Sequence, residues 1–192
     1  MKYIKDEEFI RGKTPMTKEE IRILSISKLN LEKDFKVLDV GAGTGSVSVQ
    51  MSKICYEGQI TAIERDKEAI DLIEKNKEKF SVHNISIIEE EALQAVNSIQ
   101  GEFDAIFIGG SGGNIEDIIT SYGGKLKRGK NMVLNFITID NVYRAMHTLR
   151  NLEYDTDLIQ VAVSKGKGKS SMLVANNSIF IVTAVKKHGE IL

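Results

Sequence analysis

Hydrophobic and polar positions alternate in two rhythms along this chain. Apolar runs of strand length fall near residues 36–40, 59–64, 84–89, 103–108 and 130–136, and again near 157–163 and 178–185. Between them, near 18–29, 46–54, 66–79, 92–98, 114–122 and 139–151, apolar residues recur at helical spacing. Strand–helix alternation of this kind predicts right-handed crossovers and a mostly parallel sheet covered by helices on both faces. The last two runs have no helix between them, which predicts an antiparallel final strand. The expected fold class is α/β, one domain over residues 1–192 built on a seven-stranded, mostly parallel sheet.

The first strand runs straight into Gly41-Ala42-Gly43-Thr44-Gly45. Glycines at alternate positions permit a sharp turn and let bare backbone lie against a ligand. The helix starting near Ser46 aims its N-terminal amides at the same spot. Glu64 closes the second apolar run 19 residues after Gly45, a distance that suits a carboxylate gripping the two hydroxyls of a ribose. These features point to a nucleoside cofactor. A dinucleotide-binding loop would carry its last glycine where Ser46 stands. Asp39, at the end of the strand, would repel a pyrophosphate but suits a ligand with an ammonium and a sulfonium group. The Asp-x-Gly-x-Gly-x-Gly run resembles motif I of the Rossmann-like, class I methyltransferases that use S-adenosyl-L-methionine. Asp39, Gly41, Ala42, Gly43, Thr44, Gly45 and Glu64 are the resulting donor-site candidates.

Composition narrows the function classes. A chain of 192 residues, 42% hydrophobic and 28% charged, has the ordinary globular balance and enough length for one real core. A formal net charge of −1 supplies no global field toward nucleic acid or membrane. No apolar run approaches the roughly 20 residues needed to span a bilayer, and Met1–Asp6 lacks the apolar core of a signal peptide. A soluble, cytoplasmic protein is expected. Cys55 is the only cysteine, so neither a disulfide framework nor a thiolate metal cluster is expected; its place at a helix end suits a small buried hydrophobe. His83, His147 and His188 read as surface residues, and no cluster has metal-ligand spacing.

Three further segments carry information. Thr17-Lys18-Glu19-Glu20 has the form of a capping box, with Met16 and Ile21 as a hydrophobic staple and Pro15, the one proline, fixing the approach. Before it, Phe9-Ile10-Arg11-Gly12-Lys13 mixes apolar and basic residues. After the fourth strand, Ile108-Gly109-Gly110-Ser111-Gly112-Gly113-Asn114 lies at the carboxyl edge of the sheet, where ligands bind. It lacks the prolines and aromatic used for methylating exocyclic amines of bases, and a flat glycine run would admit a broad substrate. Asn114 is a candidate helix cap. Between the last two strands, Ser164–Met172 carries Lys165, Lys167 and Lys169 on a glycine-softened loop. On composition this is equally a solvated charge run or a cover for a polyanion. Lys125, Lys127, Arg128 and Lys130 precede the fifth strand and belong to the opposite rim.

The N-terminal Phe-Ile-Arg-Gly-Lys and Pro-Met-Thr-Lys-Glu-Glu segments, the glycine loop and Ile108–Gly112 occur in that order. Together, over essentially the whole chain, they resemble the decarboxylating precorrin methyltransferases of cobalamin biosynthesis. That resemblance implies S-adenosylmethionine as donor and, as acceptor, a meso carbon of a polycarboxylate corrin precursor, with loss of carbon dioxide from a ring acetate. It implies that Gly41–Gly45 hold the methionine part, Glu64 the ribose, and Glu91 and Ala92 the adenine, with Thr17 also touching the donor. The family pattern often has Gly-Asp-Ala where this chain has Glu90-Glu91-Ala92. Acceptor-side candidates are Arg11, Lys13, Gly109, Gly110, Ser111, Gly112, Lys165, Lys167 and Lys169, lysine replacing the arginines common in the family's last loop. Residues 1–30 would cover donor and acceptor. A homotetramer, and a companion methyltransferase for the other meso position, are also implied.

No catalytic acid or base is assigned, because an electron-rich carbon attacking a sulfonium methyl needs mainly positioning and desolvation. Two other classes compete. An RNA methyltransferase would show a basic stripe with aromatics, but the pI is near 6.3 and there is no Trp. A non-catalytic donor-binding subunit is the other, against which the intact glycine loop argues.

Overall fold

The computed structural model describes residues 3–109, 113–168 and 172–187. The helices are α1 (Glu19–Leu29), α2 (Ser46–Ile54), α3 (Lys67–Lys79), α4 (Ala92–Ala95), α5 (Ile115–Gly123) and α6 (Ile139–Asn151). The strands are β1 (Lys36–Val40), β2 (Gln59–Glu64), β3 (Ile85–Glu89), β4 (Phe103–Ile108), β5 (Leu126–Phe136), β6 (Tyr154–Val161), β7 (Ser164–Lys167), β8 (Met172–Ala175) and β9 (Ile179–Lys186). Seven of them form one sheet in the order β3-β2-β1-β4-β5-β9-β6. β1 to β5 pair in parallel, and β9 is antiparallel to both its neighbours, β5 and β6. The sheet and its antiparallel last strand match the periodicity reading.

Alternation along each strand divides the core into two layers. Val37, Ile60, Ala62, Ala105, Phe107 and Val133 pack with the α1, α2 and α3 side. Leu38, Val40, Ile63, Ile106, Ile108 and Leu134 pack with α4, α5 and α6. In α2 every residue from Ser46 to Ser52 is buried, because the N-terminal segment lies over it as a second cover. Cys55 is fully buried, its thiol pushed up to about 12 by burial and by the nearby Asp104 and Asp34 charges, as expected of a packing residue. His83 and His147 are exposed, and His188 lies outside the described residues.

Several local expectations are corrected. Thr17 does not cap α1: the N-cap is Lys18, with no side-chain cap bond. The Thr17 carbonyl instead accepts from Arg22 Nη1 at 2.8 Å, and Glu20 turns to Lys165 rather than back along the helix. Met16 and Ile21 are both buried in one core cluster, but with Lys18 as the N-cap they no longer hold the N′ and N4 positions of a staple. Asn114 takes the N-cap position of α5 but makes no side-chain cap bond. The connection read as a lysine loop is in part a hairpin, β7 pairing antiparallel with β8 from Ser164↔Ala175 to Lys167↔Met172. β5 begins at Leu126, four residues early, behind an irregularity where the register slips against β4 and Gly129 takes φ +72°. Polar side chains there hid the strand's start. Lys125 reaches the Ile99 carbonyl, Lys127 pairs with Asp104, and Lys130 lies over the Phe35 ring, all at the amino edge of the sheet.

Candidate functional site

At the carboxyl edge of the sheet a cavity of about 400 Å³ opens between four walls. Pro15–Lys18 and Glu20 form one, Asp39 and Gly41–Thr44 the floor, and Phe107 with Gly109 the third. Asn135–Ile137 with Val163, Asn176, Asn177 and Ile179 close the far side. Parallel strands end here in register, so their following loops converge, as ligand sites in open α/β sheets do.

The glycine loop is shaped by its own hydrogen bonds. Gly41 and Ala42 amides both donate to the Ile63 carbonyl at 3.0 Å, bending the chain sharply off β1. Gly43 sits at φ +55°, and a Cβ there would lie 3.4 Å from the Pro15 carbonyl, so the N-terminal segment rests directly on the loop. Gly45 has a different reason. At φ +74° its missing Cβ would stand 3.0 Å from Ile73 of α3, so this glycine serves helix packing and does not line the cavity.

Asp39 is the electrostatic centre. It is 0% exposed; Ser48 donates to Oδ2, while Oδ1 is buried with no partner. Burial, opposed by the Ser48 bond and aided by the Glu64 charge, pushes its carboxyl up to about 7. A carboxylate with a free buried oxygen on the cavity floor is arranged to receive a cation. The donor set therefore fits a ligand with an ammonium group.

Glu64 stands behind the loop. Its Oε2 accepts from the Gly43 amide at 2.8 Å, and Oε1 accepts from Arg65 and Asp66 amides at 2.8 and 3.0 Å. Beyond these three bonds the carboxylate oxygens keep further lone pairs. Glu91 and Ala92 follow β3, whose Glu89 pairs with Glu64, so they continue the same rim without lining the cavity. Glu91 caps α4 by accepting from the Leu93 amide, and the Ala92 carbonyl takes the Tyr122 hydroxyl.

Acceptor-side expectations are less gathered. Arg11 and Lys13 are exposed and outside the cavity lining. Gly109 lines the cavity; Gly110, Ser111, Gly112 and Lys169 lie outside the described residues. Lys165 on β7 is half-exposed and holds Glu20 Oε1 at 2.6 Å, while Glu20 Oε2 faces inward without a partner. Burial pushes the Glu20 carboxyl up, but Lys165 outweighs it and the net is below the usual range. Lys167 ends the same strand. The sequence reading missed Asn135, Phe107, Asn176 and Asn177. Asn135 was findable, since it stands near the carboxyl end of β5 as Asp39 does on β1; it exchanges hydrogen bonds with Ser25 of α1 at 2.9 and 3.0 Å. Asn176 and Asn177 reach the site only because the β7–β8 hairpin folds back.

A family model described as the precorrin methyltransferase domain matches residues 8–186. The chain belongs to the precorrin methyltransferase family. A probable cobalt-precorrin-6B C(15)-methyltransferase (decarboxylating) of Sulfolobus acidocaldarius is 47% identical over 188 residues, 96% of this chain and 97% of that one. The Salmonella typhimurium protein described as cobalt-precorrin-6B C(15)-methyltransferase (decarboxylating) is 36% identical, with 98% of each chain covered. Among solved structures, a precorrin-6Y C5,15-methyltransferase of Geobacter metallireducens superposes with a TM-score of 0.91 at 36% identity, covering 96% of this chain and 97% of that one. This protein is a methyltransferase, and the fold and family expectations drawn from its motifs hold. No helix among the described residues is long and apolar enough to cross a membrane.

Proposed function

We propose that this precorrin methyltransferase transfers a methyl group from S-adenosyl-L-methionine to a meso carbon of a cobalt-precorrin-6B-type acceptor, with decarboxylation of a ring acetate. The observation that carries the donor half is Asp39, a buried carboxylate with one oxygen unpartnered on the floor of the glycine-loop cavity. The acceptor half rests on near full-length likeness to proteins named for that reaction.

When bound, the donor supplies a sulfonium methyl; a new carbon–carbon bond forms as the carbon–sulfur bond breaks and a neutral thioether leaves. Asp39 would hold the ammonium end, Glu64 the ribose and the Gly41–Thr44 backbone the chain between them, with Glu91 and Ala92 toward the adenine. The wall at Thr17 and Phe107 would shield the transfer from water. Decarboxylation of the ring acetate releases carbon dioxide, and the methylene left behind takes up one proton from solvent to become a methyl group, a step that positioning against the conjugated macrocycle would assist without an assigned acid. Lys165, Lys167 and Lys169, with Arg11 and Lys13, would meet acceptor carboxylates, Lys165 exchanging Glu20 for substrate. The exposed apolar residues Met172, Leu173 and Val174 on β8 suit burial against other copies, in keeping with a homotetramer. A separate companion enzyme would methylate the other meso position.

The test is incubation with methyl-labelled donor and a panel of late corrin precursors, with methyl incorporation and carbon dioxide followed by mass spectrometry. Stoichiometric methylation and carbon dioxide release are expected with one precursor. Donor binding without turnover on any precursor would favour a non-catalytic subunit instead.

A further inference from the structure

The N-terminal strap, residues 4–17, pairs with no strand and contains only a short 3-10 turn at Asp6–Glu8. It nevertheless forms one wall of the cavity through Pro15–Thr17. What fixes it is a pair of buried polar side chains reaching out from helix positions outside the family motifs.

Asn76 is the clearest. The buried face of α3 reads Ala69, Leu72, Ile73, Asn76, an amide where the helical period calls for an apolar residue. It is 0% exposed and fully engaged with two other segments. Its Oδ1 accepts from the Ile10 amide at 2.8 Å, and Nδ2 donates to the Ile10 carbonyl at 3.0 Å and to the Thr44 carbonyl at 3.0 Å. One side chain thus ties the middle of the strap to the glycine loop.

Arg22 does the same at the strap's ends. It too is 0% exposed, on α1. Nη1 donates to Asp6 Oδ1 at 3.1 Å and to the Thr17 carbonyl at 2.8 Å, and Nη2 donates to the Ile4 carbonyl at 2.5 Å. Its guanidinium lies 4.7 Å from the centre of the Phe9 ring. A buried arginine and a buried amide are expensive unless their bonds are made, and an apolar residue would pack at lower cost. Directional bonds give what packing does not, a single register of strap against loop.

From this arrangement we infer that Asn76 and Arg22 are positioning residues of the donor site, holding the Thr17 wall and the Thr44 loop at a fixed separation. The inference rests on the donor-site reading above. Neither residue touches the cavity; both act through backbone that does.

Isothermal titration with S-adenosylmethionine, amide hydrogen exchange and thermal unfolding would be run on the full-length wild type, Asn76→Leu and Asp6→Asn. Asn76→Leu keeps the bulk and loses the brace, while Asp6→Asn removes the anion from Arg22 and tests the idea if the first variant does not fold. At a temperature where circular dichroism shows each protein folded, the variants should exchange faster across residues 4–17. They should also bind the donor at least about tenfold more weakly. Faster exchange or a lower Tm with unchanged donor affinity would overturn the inference, leaving both residues merely structural. A wild type that does not bind the donor would overturn the donor-site reading itself, and the inference with it.

Discussion

Asp39 and Asp104 stand on the neighbouring strands β1 and β4, both acidic and both nearly sealed from water, at opposite edges of one sheet. Asp104 is satisfied on both oxygens: Lys127 Nζ lies 2.6 Å from Oδ1, and the Lys36 amide donates to Oδ2 at 3.0 Å. Burial pushes its carboxyl up, but those two bonds outweigh burial and leave it below the ordinary range. Asp39 has only Ser48, and its carboxyl stands raised to about 7. The two residues have the same chemistry and opposite bookkeeping. A buried charge whose partners are complete belongs to the scaffold, whereas one left incomplete beside a cavity belongs to a site.

The largest expected effect comes from spoiling the loop beside Asp39. Gly43→Val places a β-branched side chain at φ +55° against the Pro15 carbonyl. Donor affinity should fall by roughly a hundredfold or more while the sheet persists. A calorimetric titration with unchanged affinity would show that the loop does not shape the site.

Next is Asp39→Asn, which should weaken donor binding by about tenfold or more yet stabilise the unliganded protein. The sign follows from linkage: Asp39 is raised from 3.8 to about 7 on folding, so its contribution is full below the unfolded value and is lost as pH climbs through about 7. Wild-type Tm should therefore decline over that interval more than the variant's, and at pH 8 the variant should melt about 3–6 °C higher. In wild type, affinity for a cationic donor should rise as pH passes about 7. Parallel Tm curves for the two proteins would sink the comparison.

The smallest effect on binding belongs to Asp104→Ala. Removing it strands the Lys36 amide and Lys127, and should cost about 2 kcal/mol in denaturant unfolding. Donor affinity should stay within about twofold, since the change lies at the far edge. Its stabilising contribution is present above the ordinary carboxylate range and fades as pH falls below it, the reverse of Asp39.

Much of this is legible in the amino-acid sequence. Alternating apolar runs placed all seven strands of the main sheet, and all but β5 and β6 fell within a residue of their observed bounds, because strands covered on both faces are rich in apolar residues. Asp39 and Gly41–Thr44, read from the glycine motif, form the floor of the cavity. Exposed and irregular elements were harder. The start of β5 is polar on its surface face and bulged at Gly129, and the β7–β8 hairpin is exposed and lysine-rich, so neither carries a burial pattern. The capping-box pattern was present in Thr17–Glu20, but Lys165 and Arg22 outbid the helix for its groups.

Sequence alone determined the layered α/β fold, the family and the bare-backbone turn, because each depends on local spacing and on which residues avoid water. Tertiary structure alone decided which polar groups meet. That Gly45 packs against Ile73 of α3, that one oxygen of Asp39 lacks a partner where both of Asp104 have one, and that Asn76 joins Ile10 to Thr44 across 66 and 32 residues are relations between segments far apart in the chain. Hydrogen bonds are short and directional, and no periodicity along one strand or helix encodes the atom that will stand opposite.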